Sequence, residues 1–325
     1  MNDILWLLRR EYWEHRGGFL WTPVWITGVI LAVSLVGMIT AEILGARADI
    51  HVNFGMSLEQ LSRDLGAGDL TQAGNALDMM QLSFLASVSI GLFFVLFFYL
   101  LGALYDDRRD RSVLFWKSLP ITDTATVLSK VLSAALVAPI LALVIGTLAY
   151  LVFLLLVVLW GAIHGINVLP AILAAHPLGM FAWLLAVVPV NALWALPTIG
   201  WLLLCSAWAR SKPFMWAVML PIGVMIAVGW LKLLGMPLLA NLEMLRDSLA
   251  RMLLSVWPGS WVMTLARISD ESRFRFDENN ILQSLAPSQT WSVLATPGLW
   301  IGVIGGVVLI GGAIWLRGRR VEVNT

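Results

Sequence analysis

The chain has 325 residues, of which 59% are hydrophobic and only 13% are charged, with a formal net charge of +1. An ordinary water-soluble domain carries about 25% charged residues, so this chain has too little charge to cover a solvated surface. The near-neutral balance also supplies no field of one sign that would attract a nucleic acid.

The first segment, 2–16, predicts a helix capped by Asn2 or Asp3. Ile4, Leu5, Leu8 and Tyr12 share one face, with Glu11 and His15 intruding at its edge. An interfacial helix leading into a first membrane span is the natural reading. A spanning helix needs about 20 mostly apolar residues, and six segments qualify: 19–41, 79–105, 131–160, 178–209, 213–231 and 291–316. The first is longer than the hydrophobic region of a cleavable signal, so it is read as a retained span. Spans three and four come from one stretch without Asp, Glu, Lys or Arg, divided at Gly161 to Gly165 and His176-Pro177. The expected fold class is therefore an all-α integral membrane protein built as one domain, 1–325.

Lys and Arg in short loops set orientation. Arg9, Arg10 and Arg16, then Arg108, Arg109, Arg111, Lys117 and Lys130, then Arg210 and Lys212, then Arg317, Arg319 and Arg320 all fall on the side of the N-terminus. Both termini are thus expected in the cytoplasm. On the other side, Ser57 and Gln60 have capping-box spacing for a short helix. Leu238, Leu242, Leu245, Leu249 and Met252 recur at helical spacing, with Asn241, Glu243, Asp247 and Arg251 between them, which predicts an amphipathic helix before the last span. Arg273 to Asn280 reads as an exposed loop.

Chemistry-bearing patterns are scarce. The sequence has no Gly-Lys-Ser/Thr phosphate loop, no His-Glu-x-x-His and no cysteine pair. Cys205 lies in an apolar run and reads as a buried thiol. His164 and His176 stand twelve residues apart in an expected outer loop and read as surface groups. No expected span carries a mid-membrane ionisable residue, the usual mark of an ion relay. Gly298, Gly302 and Gly306 recur every fourth residue in the last span, where they would let another helix approach closely; packing within the chain is preferred to a dimer seam.

The informative element is the loop at 105–123, Tyr-Asp-Asp-Arg-Arg-Asp-Arg-Ser-Val-Leu-Phe-Trp-Lys-Ser-Leu-Pro-Ile-Thr-Asp. A charged cluster precedes an apolar patch, Val113, Leu114, Phe115 and Trp116. Ser112 caps a predicted short helix that Pro120 ends, and Thr122 or Asp123 caps the third span. Large apolar side chains ringed by charge suit a docking knob for a soluble partner, and equally a solvated loop whose aromatics dip into the interface.

The pattern from Asp107 to Lys130 resembles the signature of ABC-2 type transporter permeases. Six spans, cytoplasmic termini, an N-terminal interfacial helix and a large loop before the last span resemble that family in layout. The resemblance implies that the loop is a coupling helix seated in a cleft of an ATP-binding subunit, with Asp107, Arg108, Arg111, Phe115, Trp116, Lys117, Leu119 and Pro120 as the partner-binding positions. It implies an assembly of two permease chains, identical or not, with two ATP-binding subunits in a bacterial-type cytoplasmic (inner) membrane. This chain would be non-catalytic and without cofactor, metal or nucleic acid; ATP and Mg would bind the partner subunit, and transport would run toward export. The alternative is a membrane scaffold that recruits a cytoplasmic partner through residues 106–123 and moves nothing.

Overall fold

The computed structural model describes residues 2–48, 67–110, 121–165, 167–233, 242–260 and 287–319. Among them the elements are helical and none is a strand. In hydrocarbon each backbone N–H and C=O must be satisfied within its own segment, and a helix does this for an apolar chain. Among the described residues, six helices are long and apolar enough to cross a bilayer: Gly17–Ile43, Leu70–Arg109, Asp123–Ile163, Leu169–Trp208, Pro213–Leu231 and Pro297–Arg319. The protein is a multi-pass membrane protein.

The helices in chain order are α1 (Asn2–Glu14), α2 (Thr22–Ala48), α3 (Ala67–Gly102), α4 (Tyr105–Arg109), α5 (Asp123–Leu132), α6 (Ala138–Ile163), α7 (Leu169–Ala174), α8 (Pro177–Trp208), α9 (Pro213–Leu233), α10 (Leu242–Leu254), α11 (Pro287–Ser292) and α12 (Pro297–Arg319). A π-helical turn, Gly17–Trp21, joins α1 to α2, and another, Ser133–Val137, joins α5 to α6 without a break.

Three boundaries differ from the apolar runs, each for a local reason. Helix α3 begins at Ala67 instead of near residue 79 and has 36 residues, about 54 Å at 1.5 Å per residue, which exceeds the roughly 30 Å hydrocarbon core. Its first turns carry Asn75, Asp78 and Gln81, which no hydropathy run would include. The third span begins at Asp123 instead of 131, because the Thr122 hydroxyl accepts from the Ala125 N–H at 3.1 Å and caps the helix there. The last span begins at Pro297 instead of 291. Pro297 lacks an N–H, and Thr296 before it is extended, as a residue preceding proline prefers, so α11 and its 3-10 turn Val293–Ala295 stay separate.

The chain forms two compact units, one of Met1–Phe19, Leu92–Pro139 and Val187–Thr325, the other of Leu20–Gly91 and Ile140–Ala186. The core of the second unit is Phe84, Tyr150, Phe153 and Leu154, with Ile30, Leu31 and Leu77 against it. Phe84 meets the Tyr150 ring edge-on at 5.7 Å. The Tyr150 hydroxyl donates to the Leu77 carbonyl at 2.6 Å. Gly74 lets α3 touch α7, since a Cβ there would run into the Ala174 backbone. The predicted break between spans three and four is present: α6 ends at Ile163, Gly165 takes a φ of +71°, and the buried Asp78 carboxylate accepts the His176 N–H at 3.1 Å, capping α8. His164 lies 3.5 Å from Glu42, and the His176 ring 4.0 Å from Asp78.

In the first unit, α12 lies on α8. Gly306 faces the Leu196 backbone and Gly200 the Gly306 carbonyl, so a Cβ at either would overlap its neighbour. The glycine face is thus used within the chain. Trp201 Nε1 donates to the Ala217 carbonyl at 3.0 Å and links α8 to α9. Cys205 is buried.

Candidate functional site

The loop singled out by the sequence is flanked by α4 and α5, and both flanks lie in the first unit. Two of the eight partner-binding positions, Asp107 and Arg108, fall on α4. Arg111, Phe115, Trp116, Lys117, Leu119 and Pro120, together with the short helix expected around them, lie outside the described residues. So do the predicted short helix at residues 57–65 and the loop from Arg273 to Asn280.

Helix α3 stops at Gly102, and the chain turns through Ala103 and Leu104 into α4. The turn frees two backbone donors, and one hydroxyl takes both: Leu104 N and Tyr105 N each donate to Ser206 Oγ at 2.9 Å. Arg108 completes the joint. Its Nη2 donates to the Ser206 carbonyl and, at 3.1 Å, to the Ala209 carbonyl, while Nε donates to the Leu104 carbonyl at 3.3 Å. The last carbonyls of a helix have no intrahelical partner and carry the negative end of its dipole. A buried guanidinium at the end of α8 answers both needs at once.

Beside this joint runs a line of five alternating charges. Glu11 on α1 pairs with Lys130 on α5 at 3.1 Å. The Lys130 ammonium lies 3.8 Å from Asp107 Oδ2. Asp107 Oδ2 accepts from Arg317 Nη1 on α12 at 3.0 Å, and Arg317 Nε donates to Asp123 Oδ1 at 3.0 Å. Glu11, Asp107, Lys130 and Arg317 are all buried, and Asp123 is half-buried. The Tyr99 hydroxyl donates to Glu11 Oε2 at 2.8 Å. Lys130 approaches Oε1 as an ion pair without the alignment of a hydrogen bond. His15 and Phe19 close the pocket against the Tyr99 ring, at 4.6 and 5.0 Å.

Alternation is what makes such a line tolerable. Each inner charge has an opposite neighbour on both sides, and a buried charge without a partner is expensive. The four elements it joins, α1, α4, α5 and α12, are those that border the loop or carry the described segments nearest the chain ends. Asp107 and Arg108 therefore serve as internal supports: their side chains are buried and bonded within this chain.

Sequence reasoning missed Glu11 and Arg317 as members of this site. One signal for Glu11 was present: a carboxylate in register with Ile4 and Leu8 on an otherwise apolar face. A charge on an apolar stripe is explained when a partner waits in the core, as Lys130 does here. Arg317, at the end of a span, resembled any other inner-side basic residue.

No protein-family model, curated protein sequence or solved structure matches the chain.

Proposed function

We propose that this chain is the permease subunit of an ATP-driven ABC exporter, working as one of two permease chains with two ATP-binding subunits in a bacterial-type cytoplasmic membrane. What carries the reading is the loop motif from Asp107 to Lys130, set in a six-span chain. Its two flanks, α4 and α5, are bound by buried charge to α1 and α12. ATP and Mg belong to the partner, and this chain holds no catalytic residue.

In this reading Phe115 and Trp116 supply buried contact to the ATP-binding subunit, with Arg111, Lys117, Leu119 and Pro120 around them. Asp107 and Arg108 hold the joint from inside. A displacement of the loop is passed to α8 through Arg108 and to α1 and α12 through Lys130 and Arg317. Paired charges transmit it because separating them in a low-dielectric interior is costly. The loop side would face the cytoplasm, in keeping with the Lys and Arg that gather there.

The test is Trp116→Ala in the assembled complex, read by ATPase activity and by ATP-driven flux in vesicles. The reading expects the partner to be lost or transport to be uncoupled while the membrane fold survives. Unchanged complex yield with unchanged coupling refutes it, and a complex that never moves solute under ATP favours the scaffold alternative.

A further inference from the structure

At the opposite end of α12 from Arg317, a second group of polar atoms lies buried in the first unit, and the transport reading makes no use of it. Arg251, on α10, places its guanidinium 4.0 Å above the Trp194 ring of α8. Its Nη1 donates to the Gly298 carbonyl at the start of α12, at 2.7 Å. Thr198 anchors the backbone beneath: its hydroxyl donates to the Arg251 carbonyl at 2.7 Å and accepts the Ser255 N–H at 3.0 Å. The guanidinium is therefore held in place on three helices.

Three donors of this group find no acceptor among the described residues. Arg251 Nε, Arg251 Nη2 and Trp194 Nε1 are all buried and make no hydrogen bond. Trp194 is 2% exposed. Burial pulls the Arg251 guanidinium below its ordinary value. The space is shaped for the arginine: a methyl group at Gly302 would overlap Nη2. The Trp194 ring itself sits in an apolar core with Val190, Val293 and Leu299, all buried, and with Val303 packed against them. Buried donors are ordinarily satisfied, and a cation with several unused N–H groups calls for an anionic oxygen.

We infer that Arg251 and Trp194 form a binding site for the anionic headgroup, a carboxylate or a phosphate, of an amphiphile drawn from the bilayer that α8 and α12 cross. The headgroup accepts from Arg251 Nε and Nη2 and from Trp194 Nε1. The site is independent of the permease reading, because it needs neither ATP nor a partner chain.

The probes are oleate, dodecyl phosphate, oleyl alcohol and inorganic phosphate, each titrated into the purified full-length protein in a neutral detergent. Thermal unfolding reads binding, since a ligand of the native state raises the midpoint by mass action. The expected result is a saturable rise with oleate or dodecyl phosphate and none with oleyl alcohol. A rise with inorganic phosphate alone would identify a free anion as the ligand and overturn the amphiphile assignment. Arg251→Gln should weaken binding about tenfold or more, and Trp194→Phe, which keeps an aromatic face and removes the donor, by a smaller factor. Arg251→Lys keeps the charge and loses the planar pair of donors, so it should fall between wild type and Arg251→Gln. No rise with any anion overturns the proposal, as does an equal rise in wild type, Trp194→Phe and whichever Arg251 variant folds.

Discussion

Replacing Lys130 with methionine preserves most of the side-chain length and removes the second charge of the five-membered line, the one between Glu11 and Asp107. Glu11 is 0% exposed and Asp107 8%, so neither charge left behind can turn to water cheaply. At an effective dielectric of 20, the attractions at 3.1 and 3.8 Å are about 5 and 4 kcal/mol. Desolvation of the ammonium offsets several kcal/mol of this. The net loss on breaking such a buried pair is about 3–5 kcal/mol, because Glu11 and Asp107 stay behind as underpaired charges. The double variant Glu11→Gln with Lys130→Met removes the orphaned carboxylate, so it should cost less than the sum of the singles by about 1–3 kcal/mol. Tyr99 can still donate to the amide oxygen at position 11. The assay is reversible unfolding in mixed micelles, followed by helical circular dichroism, on all four members of the cycle. A Lys130→Met protein within about 0.5 kcal/mol of wild type, or strict additivity in the cycle, would refute the view that this line is a coupled network.

Arg108→Ala should cost about 2–3 kcal/mol, by exposing the buried Ser206 and Ala209 carbonyls at the end of α8 to a partnerless environment; the same unfolding assay checks it, and Arg108→Lys should recover only part. Gly306→Ala should destabilise by about 1–3 kcal/mol, because its Cβ meets the Leu196 backbone. Gly305→Ala, one position along and facing open space, should be close to neutral in parallel measurements.

The spans were legible because a bilayer demands long apolar runs and because their ends carry charge. Even so, the apolar run is a poor guide to where a helix starts. Asp78 and Lys130 look like boundaries in a hydropathy profile, yet both sit inside helices, since one caps α8 and the other pairs with Glu11. The Gly302 and Gly306 spacing correctly marked a close-packed face, and α8 covers it. Arg251 was placed between apolar positions of an amphipathic helix, where a solvent-facing charge is the default. The structure turns it onto Trp194 instead. Pairings such as Arg317 with Asp107 join residues remote in the chain and leave no local pattern, so single-sequence periodicity cannot announce them. Of the eight loop positions singled out in the sequence, the two that are described, Asp107 and Arg108, are buried and support the joint from within.

The central claim is that the 111–120 loop seats an ATP-binding partner. Its most direct test is gentle purification of the intact protein from its native membrane, followed by identification of whatever accompanies it in stoichiometric amount. The account predicts a soluble subunit with a phosphate-binding loop, present with wild type, absent with Trp116→Ala, and hydrolysing ATP in the complex. A clean preparation without such a subunit, in several mild detergents and with the helical fold intact, would contradict it.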